Sequence, residues 1–421
     1  MRFPVLVSCM LLLAATRSGA EPPAALNLDE AVAIAVRNHP RATEALANQA
    51  GAEARIGLAQ SAYYPQISLD ADWSKGRTYF SPLNGIRSTE AYTAVATLRQ
   101  TIYDFGRTAG AVESQRGGVD AARQSVALTR QDIALRARSA FYLLLAAEKQ
   151  VSAVEATLKS REEMLRQAKE FHAAGIRAKV DVAKAEASYY NARSALSRAE
   201  TNREVARMEF ATALGLKAPP NRQLAEPATD AGMGGDLTGM QRLAMQRRAE
   251  LRLIQAQITA ARGTHRAAKS GHLPVLTGNA DVGYADRNFP PEGNVWNVGV
   301  SLSVPIFSGY AVTSREQEAS AQISALEARA EDTRLSIVKE VETAWFAIRD
   351  AESRLEATAK ERDAAHETLA LALGRYGEGV GSIIEVTDAQ AQALSADTAN
   401  IEAVYDIGIA RARLARAVGS E

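Results

Sequence analysis

The sequence predicts a mixed fold in which very long coiled-coil helices continue into short β-strands of membrane type, arranged as two copies of one structural repeat. Three observations support this fold class. Two long stretches lack proline, four segments alternate apolar and polar residues, and short motifs recur at a constant spacing. A chain of 421 residues would ordinarily form two or three compact domains. The long uninterrupted stretches favour an elongated molecule instead.

The thirteen prolines leave two long stretches of the chain free of proline, from Leu83 to Ala218 and from Ile306 to Glu421. Proline removes a backbone donor and clashes with the preceding helical turn, so long helices are possible only where it is missing. We predict long helices over about 106–171 and 309–375. Shorter return helices are predicted over about 180–215 and 384–419. Leucine and valine recur every seven residues in the first long helix, at Leu144, Val151, Leu158 and Leu165, which indicates coiled-coil packing.

An internal duplication organises the chain. Ala140-Phe141 matches Ala344-Trp345, and Ala213-Leu214-Gly215 matches Ala417-Val418-Gly419, both at an offset of 204 residues. Upstream, Tyr64-Pro65 pairs with Leu273-Pro274 at an offset of 209 residues. We therefore divide the chain into a first repeat over 21–216, a Pro/Gly-rich linker over 217–239 and a second repeat over 240–421. Pro305 marks the second strand-to-helix junction, and Thr101 takes its place in the first, so we expect these junctions to differ.

Each repeat carries two predicted strands, over about 66–75 and 91–101 in the first and about 275–285 and 295–305 in the second. Apolar residues alternate with small or polar ones along all four segments. A strand of this kind ordinarily places one face on a protein core. Two features favour a membrane instead: a tilted strand of about ten residues crosses a bilayer, and aromatic residues stand near the loop ends of the apolar faces. These aromatic residues are Trp73, Tyr92, Tyr284 and Trp296.

Four strands cannot close a barrel, and lipid does not tolerate an unpaired sheet edge. If the strands span a membrane, the protein must therefore be an oligomer. The loops over 76–90 and 287–294 would then join the strands on the outer side.

The amino terminus predicts a secretory signal peptide over residues 1–20. Arg2 supplies a positive charge, Val5 to Ala15 form a short apolar stretch, and Ser18-Gly19-Ala20 form a small-residue cleavage site. The only cysteine, Cys9, lies inside this segment. Lipidation of Cys9 is an alternative that the sequence leaves open.

Composition argues against several functions. Lysine and arginine together number 49, as do aspartate and glutamate, so the charge balance offers no basic surface for nucleic acid. The five histidines have no spacing typical of metal ligands, and no catalytic triad or phosphate-binding loop is present. We expect no cofactor and no enzymatic activity.

The two helix-to-helix segments carry the most specific motifs, over 171–182 and 375–390. The second reads Arg375-Tyr376-Gly377-Glu378-Gly379-Val380-Gly381-Ser382 and continues to Asp388-Ala389-Gln390. Together with the duplicated arrangement of strands and helices, these motifs resemble the TolC-type outer-membrane factor family. The resemblance implies a homotrimer in the outer membrane of a Gram-negative bacterium. Its three chains would close a 12-stranded β-barrel, continued through the periplasm by a 12-helix α-barrel.

The resemblance also implies a function, that of a passive exit duct in a tripartite efflux pump or a type I secretion system. A periplasmic adaptor (membrane fusion protein) and an inner-membrane transporter would open its periplasmic end, and outer-membrane lipid would surround its barrel. The alternative is a periplasmic coiled-coil adaptor or scaffold, which would carry one helical hairpin rather than a duplicated one. The cargo, whether drug, metal ion or secreted protein, is not indicated.

By the same resemblance, Glu385 and Asp388 match acidic rings at the periplasmic constriction, and Asp181 and Tyr376 match a polar network that holds the entrance shut. The arginine expected five residues after Tyr376 is replaced by Gly381. We hypothesise that Arg177 supplies this positive charge, with Glu385 or Tyr376 opposite. From the residues alone, Asp181 is equally well a helix cap and Tyr376 equally well packs the turn. The Glu385/Asp388 pair is equally well part of a solvated face. The residues expected to contact the adaptor are Gly175, Ile176, Gly379 and Val380.

Overall fold

Two helices of 67 residues form the frame of the molecule, α3 (Arg107–Ala173) and α7 (Ala311–Gly377). At a rise of 1.5 Å per residue each is about 100 Å long. The computed structural model describes residues 25–80, 85–227 and 236–420, and the side chains of 78–80 and 85–87 are not described. The predicted signal peptide, Cys9 and part of the predicted linker lie outside these residues. Each long helix begins one or two residues later than predicted and ends two residues later.

Each long helix turns back into a return helix, α4 (Lys179–Ala213) or α8 (Ile383–Ala417). Shorter helices precede the strands in each repeat. They are α1 (Leu28–Asn38), α2 (Pro40–Gln60), α5 (Leu237–Arg247) and α6 (Ala249–Lys269). Both bounds of α7 and of α8 exceed those of α3 and α4 by 204 residues, and both bounds of α5 and of α6 exceed those of α1 and α2 by 209. No helix in the described residues is both long and apolar enough to span a bilayer.

The helices pack side by side around α3, which contacts α2, α4, α6 and α8, while α7 contacts α5, α6 and α8. Aromatic and aliphatic residues bury the middle of each hairpin, with Phe141 against Phe210 in the first copy and Val341 beside Leu414 in the second. Higher up, small residues bring the backbones together. A Cβ on Gly117 would lie 2.6 Å from the backbone nitrogen of Ala260, so α3 and α6 are in direct backbone contact there.

The strands form one antiparallel sheet in the order β1-β2-β3-β4. Their bounds are β1 Gln66–Phe80, β2 Gly85–Tyr103, β3 Val275–Asp286 and β4 Asn294–Ser303. The prediction of a loop over 76–90 was wrong, because the first hairpin continues through it. Cross-strand bonds explain this, since Lys75 Nζ donates to Glu90 at 2.9 Å and Gly76 pairs with Thr89. β4 ends two residues earlier than predicted, just before Pro305, which cannot donate to a ladder.

The register of the sheet gathers the apolar residues on one face. Leu69 stands opposite Ala96, Ala96 opposite Val282, and Val282 opposite Trp296. Trp296 and Val298 are 74% and 71% exposed. β1 and β4 end the strand order, and neither pairs on its outer side with another strand of the described residues. The sheet therefore presents a broad apolar surface with two open edges.

Both long helices begin after a turn that contains two residues of positive φ. Phe105 and Gly106 adopt positive φ before α3, and Gly309 and Tyr310 adopt positive φ before α7. These pairs are related by the same offset of 204, although the glycine is second in one and first in the other. The expectation that the junctions differ is confirmed in the strands that lead to these turns. β2 continues through Thr101 to Tyr103, whereas β4 ends at Ser303, two residues before Pro305 and at the position equivalent to Arg99.

Adjacent glycines in α3 test how tightly the upper helices are packed. No other described part of the chain lies within 4 Å of the ideal Cβ position of Gly118, whereas Gly117 abuts Ala260. We expect Gly118→Ala to raise the free energy of unfolding by about 0.5–1 kcal/mol through helix propensity. Gly117→Ala should lower it by about 1–3 kcal/mol, since the added methyl forces α3 and α6 apart. Denaturant titration of the purified protein measures both, and a shift of the same sign for the two variants would contradict this packing.

Candidate functional site

The two helix hairpins end in equivalent turns, over residues 174–178 and 378–382. Gly175 and Gly379 have φ of +73° and +81°. Each is followed by an N–H that donates back to the end of the helix, from Ile176 to the Phe171 carbonyl at 2.9 Å and from Val380 to the Arg375 carbonyl at 3.0 Å. This is the Schellman arrangement, in which the left-handed position favours glycine. Both predicted tip glycines therefore terminate a long helix.

Ile176 and Val380 point away from the protein at these tips and are 61% and 71% exposed. Exposed apolar side chains at the ends of both hairpins offer a surface for contact with another protein.

Tyr376 is buried between the two hairpins, with its side chain fully inaccessible to solvent. It belongs to a cluster that draws Met164 and Ala168 from α3 and Val386 from α8. The Phe171 ring lies 5.9 Å from the Tyr376 ring. Among the described residues, the Tyr376 hydroxyl has no hydrogen-bond partner. Burial raises the pKa of this hydroxyl, Asp181 raises it further, and Arg177 partly opposes both effects.

Arg177 links the first tip to the second. Its Nη2 donates to the Gly381 carbonyl at 2.7 Å, and its Cζ lies 5.0 Å from the centre of the Tyr376 ring. A guanidinium over an aromatic face is attracted by the negative charge of the π-system. Glu385, the other partner considered for Arg177, lies instead 3.9 Å from Arg375 Nη2 on its own hairpin. Arg177 therefore contacts the opposite hairpin through a ring and a carbonyl oxygen.

Gly381 explains why this positive charge comes from the other hairpin. A Cβ at this position would lie 2.8 Å from the Tyr376 nitrogen and 2.9 Å from the Arg375 carbonyl carbon. The turn folds so tightly that a side chain at 381 does not fit without a shift of the backbone. An arginine on this residue and the observed turn are therefore incompatible.

The acidic residues singled out from the sequence fall at two helix starts. Asp181 is half-buried in the first turn of α4, where Ala178 occupies the N-cap position, so Asp181 is not the cap. Glu385 and Asp388 are exposed in the first two turns of α8, three residues apart and hence on one face. Among the described residues, no group of three His, Cys, Asp or Glu side chains is arranged as metal ligands.

Two buried polar residues above the tips were not predicted from the sequence. Arg161 donates to the Ser188 carbonyl at 3.1 Å while its Nε lacks a partner, and burial lowers its pKa. Gln390 donates to Ser160 Oγ at 3.2 Å while its Oε1 lacks a partner. The sequence signal was available, since Arg161 falls on the side of α3 that carries the apolar heptad and Gln390 closes the second tip motif. Unsatisfied buried polar atoms weaken the packing where the hairpins meet.

Comparison with known proteins shows which family of proteins carries this arrangement of helices and strands. The family described as "Outer membrane efflux protein" matches residues 32–216 and 241–420. Protein CyaE of Bordetella pertussis is 27% identical over 400 residues, covering 89% of this chain and 81% of the relative. Outer membrane protein TolC of Escherichia coli is 25% identical over 433 residues, covering 99% and 86%.

Solved structures share the fold. The Campylobacter jejuni CmeC outer membrane channel superposes with a TM-score of 0.81 at 17% identity, covering 93% of this chain and 85% of that one. The Neisseria gonorrhoeae MtrE outer membrane channel, in its open state, gives a TM-score of 0.77 at 20% identity, covering 93% and 89%. The predicted combination of long helices with a membrane-type sheet is confirmed by these neighbours. Because the family match spans both repeats, the chain belongs to the outer membrane efflux protein family.

Proposed function

We propose that this chain is one subunit of a homotrimeric outer-membrane channel that serves as the passive exit duct of an efflux or secretion system. One observation carries the proposal. A four-stranded sheet with an exposed apolar face and two open edges is continuous with helices of about 100 Å. The sheet suits a bilayer, and the helices are long enough to extend far into the periplasm.

The open edges require an assembly of several copies. In lipid every backbone N–H and C=O must be paired, so β4 of one copy must pair with β1 of the next until the ring closes. Three copies give twelve strands, within the range of known outer-membrane barrels. The apolar face that carries Leu69 and Val298 then faces outer-membrane lipid. The polar face, which carries Asp70 and Asp281, lines the lumen.

Membership of this family also confirms that the protein is an outer-membrane channel and not an enzyme. The energy for transport must then come from partners. We propose that a periplasmic adaptor and an inner-membrane transporter engage the helix tips, where Ile176 and Val380 are exposed. We propose no nucleic-acid partner, because the charge balance is even.

The contacts at the tips support a gate. Arg177 fastens the first hairpin to the second through Tyr376 and the Gly381 carbonyl, so the two tips cannot separate without breaking both contacts. Asp181 lies near enough to Tyr376 to affect its pKa and completes this polar group. Glu385 and Asp388, repeated three times around the channel axis, would form a ring of six carboxylates that attracts cations.

The proposed channel is tested by its mass and its conductance. We expect the purified protein to require detergent, to have the mass of a trimer by light scattering, and to form ion-conducting pores in planar lipid bilayers. The competing adaptor function predicts a protein recovered from the soluble periplasmic fraction that forms no pores. Recovery in that fraction would exclude the channel.

Neutralising Arg177 should loosen the resting gate. Its two contacts contribute about 1–2 kcal/mol, and about 1.4 kcal/mol corresponds to a tenfold change in an equilibrium. We therefore expect Arg177→Gln to raise the resting conductance of the trimer about tenfold in a planar bilayer. Arg166→Gln is the matched control, because Arg166 is exposed on α3, which leads into the turn that carries Arg177, and pairs with Glu170 of the same helix at 3.0 Å. Equal conductance in the two variants would remove Arg177 from the gate.

The acidic ring is tested by ion selectivity. Glu385→Gln combined with Asp388→Asn removes six negative charges from the trimer without changing side-chain size. We expect the ratio of potassium to chloride permeability, obtained from the reversal potential in a salt gradient, to fall severalfold. Glu200→Gln, on the exposed middle of α4, should leave the ratio unchanged. A ratio that also stays unchanged in the double variant would place the two carboxylates outside the conduction path.

A further inference from the structure

One side of α7 has apolar residues that no other described part of the chain covers. Leu335, Phe346 and Leu371 are exposed by 71%, 58% and 63%. They are 11 and 25 residues apart, which places them within about 20° of one another around the helix. Ile337 and Val341, on the other side, are buried against α5 and α8. These three residues therefore form an apolar seam on the side of α7 that faces away from the described helices packed against it.

A complementary seam runs along α4. Tyr190, Val205 and Met208 are exposed on the side opposite Ala185 and Ala192, which are buried. Near the end of α4 this seam opens into a cavity of about 610 Å³. The cavity is lined by His39 and Arg136 and by α4 residues that include Thr201, Glu204, Val205 and Met208.

The internal duplication indicates how these seams fit together. Contacts inside one hairpin recur in the other at the offset of 204 residues. Phe141 packs against Phe210 with ring centres 5.9 Å apart, and the equivalent Trp345 and Leu414 lie in one cluster. The offset therefore transfers a helix contact from one copy of the repeat to the other.

In the middle of the chain, α8 covers the side of α3 that corresponds to the open seam of α7. Tyr142 of α3 lies directly on Gly408 of α8, where an added Cβ would be 2.5 Å from the tyrosine ring. At the offset of 204 residues, the position in α7 that is equivalent to Tyr142 is Phe346. The position in α4 that is equivalent to Gly408 is Glu204. Glu204 lines the cavity, so the duplication directs the exposed Phe346 into this cavity of the α4 seam.

A second contact, higher in the molecule, gives the same alignment. Gly117 of α3 abuts Ala260 of α6. The offsets of 204 and 209 convert this pair into Ala321 of α7 and Gly51 of α2. Both are exposed, and nothing lies within 4 Å of the Cβ position of Gly51. In the first pair the glycine is on the long helix and the alanine on the shorter one, and in the second pair the reverse is true. Both pairs therefore consist of the small residues that close helix packing requires.

We propose that α7 of one copy packs against α4 and α2 of the next copy in the register that α3 adopts on α8 and α6. Phe346 then fills the cavity beside Glu204, and Ala321 abuts Gly51. This proposal rests on the proposed trimer, and it assigns the residues that join its subunits. Around the ring of helices in the trimer, helix contacts within one chain then alternate with equivalent contacts between neighbouring chains.

Cysteine pairs test this register in a Cys9→Ser background. We expect oxidised Phe346→Cys/Glu204→Cys protein to run as a covalent trimer that a reductant reverses on a denaturing gel. Tyr142→Cys/Gly408→Cys is the equivalent pair within one chain. Its two thiols should be lost on oxidation, and the protein should still run as a single chain on the denaturing gel. Phe346→Cys/Ser197→Cys, shifted by seven residues, should give at least about tenfold less covalent trimer, because disulfides form only between closely placed Cβ atoms. Ala321→Cys/Gly51→Cys provides an independent second pair.

The outcomes separate the register from the trimer itself. Variants that are trimeric by light scattering and conduct ions, but form no interchain link at either proposed pair, would overturn the register alone. Equal linking through Ser197 and Glu204 would overturn it as well. A parent protein that is not trimeric would instead overturn the proposed function.

Discussion

The sheet sets the constraint on which the rest of the structure depends. Its four strands pair with one another, but the outer edges of β1 and β4 have no partner in the described residues, and one face is apolar and exposed. A bilayer offers no water to satisfy such edges. The edges can be paired only if the sheets of several copies join into a closed barrel. Such a barrel also fixes the spacing at which the long helices leave the sheet. The helices must then form a ring of their own, with the same number of seams between chains as the barrel has.

The packing changes along the length of that ring. Near the sheet, glycine and alanine bring α3 and α6 into backbone contact, which makes this part of the tunnel rigid. Near the tips, the buried Arg161, Tyr376 and Gln390 each keep a polar atom without a hydrogen-bond partner. Packing that buries unpaired polar atoms has a smaller free-energy advantage over alternative arrangements of the helices. Movement is therefore easiest at the end where Arg177 joins the two hairpins.

The sequence was sufficient for the architecture, because its signals are periodic and repeated. Missing proline, the heptad from Leu144 to Leu165 and the constant offset predicted the helices to within two residues at each end. The length of the first hairpin was not predictable in this way. Polar residues such as Thr89 and Glu90 are typical of a loop, and only their pairing with Gly76 and Lys75 across the hairpin makes them part of a strand. At the tips, the sequence marked Arg177, Tyr376 and Gly381. It could not show that Gly381 lacks room for a side chain, since that depends on the path of a turn.

The alternation of seams affects how a population of mixed subunits would behave. Each subunit contributes its Phe346 to one seam between chains in the proposed ring. A single altered subunit therefore disturbs a seam that it shares with its neighbour. If altered and unaltered chains were made in equal amounts and assembled at random, about one trimer in eight would contain only unaltered subunits. A defect at the seam would therefore be dominant in the cell, whereas a defect inside a hairpin, such as at Phe210, would be confined to the chain that carries it.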